Sequence, residues 1–207
     1  MSWVTIIWSM NASVCLTLAG IHLLVWLKAR SAWGNLLFSC SAVAAAAVAA
    51  CELLLMRAET VERYGAVMRW AQVPLWVLVV SIVWFTRFQL RAGRPWLAWV
   101  VTGVRTLVLA LTFLATPNIN FKVISGLSHI PFLGESICRA EGTLHPWAIV
   151  AKLSSALLLA FLVNASIEVW QRGERRRALF LGGSMIFFIT AAAVHSALGE
   201  RGVIQSP

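Results

Sequence analysis

The chain has 207 residues, of which 60% are hydrophobic and 12% are charged, and its formal net charge is +9. Its mean hydropathy of +0.81 is far above that of a soluble domain of this length and leaves no room within these residues for a separate soluble domain. All 8 acidic residues are Glu, which excludes phosphoacceptor-aspartate, aspartic-protease and Walker-B chemistry.

Apolar runs of about 20 residues, the length that a helix needs to cross a bilayer, recur along the chain. The second run is rich in Ala and Val, which lets helix backbones approach closely in a membrane. Pro74 predicts a kink in the third run, and Pro95 suits the first turn of the fourth. We therefore predict an all-α, polytopic transmembrane helical bundle of about six helices that forms a single domain over residues 1–207, with spans at about residues 3–27, 32–56, 67–88, 96–115, 147–170 and 178–198.

Lys and Arg are distributed unevenly between these predicted spans. The turns after the first, third and fifth spans hold 2, 3 and 4 basic residues, whereas the intervening connections hold as many Glu as basic residues. Because short basic loops stay in the cytoplasm, the N-terminus is predicted to lie outside the cytoplasm. Topology and contact with the headgroups of the lipid bilayer thus explain the positive charge, and we predict no nucleic-acid partner.

Arg105 is the most unusual residue of the predicted spans. It lies roughly 15 Å into the fourth helix, near mid-membrane, where an Arg costs about 2.5–3.5 kcal/mol and should face the bundle interior. The carboxylates of Glu52 and Glu168 lie nearer the two faces of the membrane, so Asn11, Thr102, backbone carbonyls or a ligand remain as partners. A structural Arg and a ligand-binding or signal-coupling Arg are both open.

The predicted outer loop, residues 117–146, is the one long connection. It mixes Ile, Phe and Leu with Asn, Gly and Pro and is too apolar for a solvated linker, so it should fold over the bundle as a lid or lie in the headgroup layer. A passive cap is the alternative, although loops of this length are often functional. The candidate ligand-binding residues in this loop are Asn118, Asn120, Phe121, His129 and Glu135.

The chain contains 4 His residues, which raise the question of a haem or metal site. His22 is predicted near the inner end of the first span and His195 near the outer end of the sixth, so these two cannot ligate one haem. His129, His145 and His195 share the outer side and are weak candidates for metal ligands, but their spacing matches no metal motif. We therefore predict no cofactor and no metal site.

Four short runs carry a likeness to a known family: residues 94–99 (Arg-Pro-Trp-Leu-Ala-Trp), 105–107 (Arg-Thr-Leu), 117–121 (Pro-Asn-Ile-Asn-Phe) and 129–135 (His-Ile-Pro-Phe-Leu-Gly-Glu). With these runs, the chain resembles the membrane-embedded N-terminal sensor region of bacterial sensor histidine kinases, which often carry a PAS domain before the kinase. The resemblance implies a multi-pass protein of the bacterial cytoplasmic (inner) membrane. It also implies a homodimer with a cytoplasmic kinase domain in cis, and no catalytic residue on this chain. Such receptors need a seventh helix before the transmitter, so we expect either a fragment or a stand-alone protein that resembles the family.

The predicted function is therefore a membrane sensor or receptor module of a two-component histidine kinase that detects an unknown stimulus. No catalytic motif occurs on the chain, so kinase activity would belong to the full-length protein. One alternative is a small transporter or channel, which the lack of inverted repeats, paired broken helices and midplane carboxylates disfavours. The other is a haem- or metal-binding membrane redox protein, which the predicted depths of the histidines disfavour.

Overall fold

A computed structural model describes residues 3–132, 135–184 and 186 of the chain. These residues form mostly helices, with one pair of strands before the last long helix. In chain order the elements are α1 (Trp3–Lys28), α2 (Trp33–Met56), α3 (Val61–Trp70), α4 (Gln72–Gln89), α5 (Pro95–Leu114), β1 (Phe121–Phe132), β2 (Glu135–Leu144), α6 (Ala148–Gln171) and α7 (Arg175–Arg177), and a π-helical turn follows at Ala178–Gly183.

Five helical segments of the described residues are long and apolar enough to cross a membrane. They are α1, α2, α3 together with α4, α5 and α6, and each has at least 20 residues, which is the length that a bilayer requires. These five segments overlap the first five predicted spans, and they make the chain a multi-pass membrane protein. The predicted sixth span, residues 178–198, begins in the π-helical turn and lies for the most part outside the described residues.

Short connections join most of the consecutive helices, so that the helix termini gather at two opposite ends of the bundle. We call one the hairpin end: α2 and α5 end there, at Met56 and Leu114, and the strands follow α5. We call the other the basic end: α1, α4 and α6 end there, and the Lys and Arg clusters of the short turns lie beside them. At the hairpin end, the Trp8 indole Nε1–H of α1 donates to Met56 Sδ of α2 over 3.3 Å.

The third span differs from its prediction, because it begins at Val61 rather than at about residue 67 and is broken into α3 and α4 at Ala71. Pro74 explains the break: it has no N–H to donate, and its ring opposes the carbonyl of Trp70, four residues earlier, where α3 ends. The predicted kink at Pro74 is thus confirmed. The 29 residues of the span have a helical length of about 43 Å, more than the roughly 30 Å of a bilayer core, so α3 extends beyond the core at the hairpin end.

Small side chains determine how closely α2 packs between α1 and α4. Gly34 of α2 faces the Gln89 side chain of α4, whose Cβ atom would lie 3.6 Å from a Cβ atom at position 34. On the other side of α2, the Ser39 hydroxyl donates to the carbonyl of Ala19 over 2.9 Å. The buried alanines of α2 continue this surface and are Ala42, Ala44, Ala46 and Ala49.

The prediction of an all-α fold is wrong in one segment, because the predicted outer loop contains a two-stranded antiparallel sheet. Strands β1 and β2 form a β-hairpin whose register runs from Phe121 opposite Leu144 to Phe132 opposite Glu135. A Cβ atom at Gly142 would lie 2.1 Å from the carbonyl oxygen of Val123, so only glycine allows the two backbones to meet there. Short apolar runs without helical periodicity are hard to assign from sequence, and this one was predicted as a loop.

The β-hairpin packs on the helices at the hairpin end along more than half of its length, from Ile124 near its base to Cys138. Ile124, Cys138 and Ala140 of the strands are buried against the end of α2 and the start of α3. Their partners on the helices are Leu55, Ala58 and Tyr64. The segment between α5 and α6 is thus anchored on the helices by an apolar cluster, in agreement with the many apolar residues in its sequence.

Candidate functional site

Arg105 lies in the buried stripe of α5 and is 6% exposed. Its prediction as an interior residue is therefore confirmed. Its Nη2 donates to Oε1 of Gln72 over 3.2 Å, and its Nε is a buried donor without a hydrogen-bond partner. The stripe recurs every three or four residues, as the helical period requires, and comprises Leu97, Ala98, Val101, Arg105, Val108 and Thr112.

Arg105 forms no hydrogen bond with either of the two side chains that were predicted as partners, Asn11 and Thr102. Asn11 is exposed on α1, where its Oδ1 accepts from the Cys15 thiol over 3.8 Å, and Thr102 Oγ1 is buried without a partner. Helix α1 packs against α2, whereas α5 packs against α4 and α6, so α4 supplies the partner. Because Gln72 is the first residue of α4, the guanidinium reaches from mid-helix toward the hairpin end, as long basic side chains in membranes often do.

Further contacts join α4 and α5 along their length. The Trp76 indole Nε1–H donates to the Thr106 hydroxyl over 2.9 Å. Nearer the basic end, the rings of Trp84 and Trp99 meet edge to face with their centroids 4.9 Å apart. With Arg105 and Gln72, these contacts make α4 and α5 a closely tied pair.

Arg69 of α3 links this helix pair to the base of the β-hairpin. Its Nε donates to the carbonyl of Pro117 over 3.0 Å, and its Nη2 donates to the carbonyl of Ala115 over 3.2 Å. These carbonyls follow the last turn of α5, where no intrahelical donor is available. The guanidinium therefore holds the exit of α5 against α3.

Asn118, Asn120 and Phe121 have a structural role at the start of the β-hairpin. Oδ1 of Asn118 accepts from the backbone N–H groups of Asn120 and Phe121, over 2.9 Å each, and the Asn118 side chain is 0% exposed. Such a side-chain turn is typical of Asn before a change of chain direction. The unusual sequence of this segment is therefore explained by the turn that leads from α5 into β1.

The two segments that were predicted to form one lid lie at opposite ends of the β-hairpin. His129 is opposite Cys138, and Glu135 is opposite Phe132, both toward the hairpin tip, whereas Phe121 is at its base. Eight residues separate Phe121 from His129, which corresponds to about 26 Å along a strand. The register thus does not bring the predicted ligand-binding residues of the loop together along the hairpin.

The same register separates two of the weak metal candidates. His145 follows β2 at the hairpin base, where its N–H donates to the carbonyl of Asn120 over 2.9 Å, whereas His129 is exposed near the tip. His195 lies outside the described residues. Within the part of the chain that the structure describes, no group of three or more His, Cys, Asp or Glu side chains could hold a metal ion. His22 has a packing role instead, with its Nδ1 2.8 Å from Oδ1 of Asn35.

Sequence reasoning missed a polar cluster at the basic end, which joins the turn between α4 and α5 to α6. Oε2 of Glu168 accepts from the N–H of Gly93 over 2.6 Å, and Oε1 of the same carboxylate pairs with Nη2 of Arg172. Nη1 of Arg172 in turn donates to the carbonyl of Arg91 over 2.9 Å. We call this the basic-end cluster. The sequence contained one signal for this cluster. Glu168 precedes Arg172 by four residues at the end of an apolar span, which is the spacing of a helical ion pair.

The basic-end cluster borders a cavity of about 520 Å³ between α4, α5 and α6. Two Arg side chains, Arg87 and Arg94, line it together with Asn164, Glu168 and Gln171. The N–H of Arg94 donates to Oδ1 of Asn164 over 3.3 Å, so that the cavity lies directly beside the first turn of α5. Its polar lining contrasts with the apolar surface of the spans.

Comparison with known proteins finds no matching family model, no matching curated protein and no matching solved structure.

Proposed function

We propose that this chain is the membrane sensor module of a two-component histidine kinase, with the hairpin end outside and the basic end in the cytoplasm of a bacterium. The observation that supports a relay best is a series of separate contacts spaced along α5. It begins at the base of the β-hairpin, passes through the middle of the bundle and ends at the basic-end cluster.

The first step of this relay is at the hairpin end. Through the apolar cluster of Ile124, Cys138 and Ala140 the β-hairpin packs against the end of α2 and the start of α3, and Arg69 couples α3 to the carbonyls that follow α5. A ligand or force that moved the β-hairpin would therefore act on the end of α5. A conformational change needs such differential contacts if it is to be biased from outside.

The second step is inside the bundle. The hydrogen bond between Arg105 and Gln72 is the buried polar contact between α4 and α5, and an Arg within a membrane span is by default a candidate for function. In this proposal it maintains the register of α4 and α5, so that the two helices move together. Arg105 thus acts as a positioning residue, and the stimulus is received at the β-hairpin.

The third step is the basic-end cluster, through which the start of α5 contacts the end of α6. Glu168 holds Gly93, and Arg172 holds Arg91. Helix α6 leads through α7 into the π-helical turn. A displacement of α5 would therefore reach the segment from which a cytoplasmic transmitter would be driven.

The decisive experiment is to read the gene beyond the codon for Pro207 and to assay its full-length product in nanodiscs. We expect a further span, a transmitter with a phosphoacceptor His, and ATP-dependent autophosphorylation. Arg69→Leu should change the basal rate of autophosphorylation several-fold, whereas the matched variant Arg63→Leu, at an exposed position of the same helix, should leave it unchanged. A full-length protein with no transmitter, and from which no kinase co-purifies, would refute the proposal.

The proposed orientation has its own test. Cytoplasmic reporters fused in the turns of the basic end should be active, and periplasmic reporters at the same positions should be inactive. Activity of a periplasmic reporter fused at Arg94 would overturn the orientation. The three fusion positions are Arg30, Arg94 and Arg177.

A further inference from the structure

We propose that the cavity between α4, α5 and α6 at the basic end is a binding site for a phosphate group, as a phospholipid headgroup or soluble phosphate would present it. The proposal concerns binding at one membrane surface and does not depend on the sensor function. It is carried by the charge of the cavity lining and by the position of the cavity at headgroup level.

The charge of the cavity lining is positive, because the one carboxylate that lines it among the described residues is already satisfied. Both oxygens of Glu168 have partners: Oε2 accepts from Gly93, and Oε1 pairs with Arg172, which does not line the cavity. The positive charges of Arg87 and Arg94 are left for an anion. A volume of about 520 Å³ is within the range of small-molecule sites.

The donors that remain suit a phosphate. Arg87 uses Nη1 to hold the carbonyl of Gly93 and keeps its other N–H groups. Arg94 is exposed, and no hydrogen bond of its guanidinium to a described residue is found. A guanidinium has five N–H donors in a plane that matches the oxygens of a phosphate. The first turn of α5, which begins at Pro95 beside the cavity, adds the positive end of a 20-residue helix dipole.

Aromatic side chains place the cavity mouth in the layer of lipid phosphates. Trp96 and Trp99 of the first turn of α5 are 58% and 64% exposed, and exposed Trp in a membrane helix marks the interface with the headgroups. Because Arg94 immediately precedes this turn, its guanidinium lies at the level where phospholipid phosphates are found. A headgroup can therefore enter the cavity from the side of the bilayer.

The test compares Arg94→Gln with Arg176→Gln. Both variants lose one positive charge from an exposed Arg at the same membrane surface, but only Arg94 lines the cavity. Each protein is purified in detergent, checked for monodispersity, and titrated separately with short-chain phosphatidylglycerol and with inorganic phosphate. The readout is binding by native mass spectrometry and by the change in Trp fluorescence.

We expect Arg94→Gln to weaken binding of the phosphate-bearing ligand about 10-fold, as the loss of a charge-assisted hydrogen bond predicts, and Arg176→Gln to leave it within about 2-fold. If the lipid alone shows this difference, the source is a headgroup; if inorganic phosphate shows it too, a soluble phosphate is also accepted. Equal loss in both variants, or no loss in either, would overturn the site, because binding would then follow net charge alone.

Discussion

The Arg105–Gln72 hydrogen bond predicts an asymmetry between two single substitutions. Gln72→Leu removes the one side-chain acceptor that Arg105 has among the described residues and leaves a buried charged donor unpaired. Such a loss costs about 1–3 kcal/mol, and more for a charged group, so we expect the free energy of unfolding to fall by about 2–3 kcal/mol. Arg105→Leu also removes the charge itself, whose burial in a span costs about 2.5–3.5 kcal/mol. Its net effect on stability should therefore be within about 1 kcal/mol of zero.

The double variant isolates the pair. Once residue 105 is Leu, the Gln72 amide has no charge to satisfy, and Gln72→Leu should then cost less than about 0.5 kcal/mol. Asn11→Leu is the matched control, because Asn11 is exposed on α1 and has no contact with Arg105. Its effect should be the same in both backgrounds.

Unfolding can be followed by Trp fluorescence in mixed micelles of dodecyl maltoside and SDS, where the SDS fraction is the denaturing variable. The chain has 11 Trp residues, so the signal reports on the whole bundle. If Gln72→Leu destabilises the protein equally with Arg and with Leu at position 105, the hydrogen bond contributes nothing to stability, and our account of Arg105 is wrong.

Two further predictions concern the β-hairpin. Gly142→Ala should shift the strand register and speed tryptic cleavage at the hairpin several-fold, because its Cβ atom would lie 2.1 Å from the Val123 carbonyl oxygen. The control is Gly126→Ala, whose Cβ atom has no neighbour within 4 Å and which should not change the cleavage rate. Equal cleavage of the two variants would contradict the register. Burial, which leaves Cys138 4% exposed, raises the pKa of its thiol. Maleimide labelling of Cys138 should therefore be at least 10-fold slower at pH 7.5 than that of an exposed Ser125→Cys in the neighbouring strand β1, and it should accelerate only at a higher pH than an ordinary thiol requires. Equal labelling rates would contradict the packing of β2 on the helices.

The helices could be predicted from sequence because each depends on a local property, namely a run of about 20 apolar residues. The break between α3 and α4 could also be predicted from the sequence, since a Pro within a helix removes a hydrogen bond at a known position. The additional turns of α3 before residue 67 were missed because Glu62 and Arg63 resemble a polar loop. They are tolerated in a helix that extends beyond the bilayer core and begins with a cap by Thr60, whose hydroxyl accepts from the Arg63 N–H over 3.2 Å.

The contacts of the candidate site could be predicted only in part, because they depend on which helices are neighbours. The interior position of Arg105 follows from the cost of a charge in lipid, whereas its partner depends on the packing of α5 against α4. The expected partners were carboxylates and Asn or Thr side chains at the same membrane depth as Arg105. Gln72 was not predicted as a partner, since it lies near the end of the predicted third span, where interfacial residues are found. The long side chain of Arg105 extends toward the end of the span at which Gln72 lies, and this extension accounts for their hydrogen bond.

The distribution of polar contacts also determines which helices can move independently. Helix α5 is tied to α4 through Arg105 and Trp76, and hydrogen bonds that involve a charged group contribute about 1.5–3 kcal/mol each. Sliding α5 along α4 would break these contacts within the bundle, where water cannot replace them. The described hydrogen bonds from α5 and its preceding turn to α6, in contrast, lie only at the basic end, at Glu168 and Asn164. In the proposed relay, a displacement of α5 would therefore reach the polar groups of α6 at the basic end, where Glu168 accepts from the N–H of Gly93.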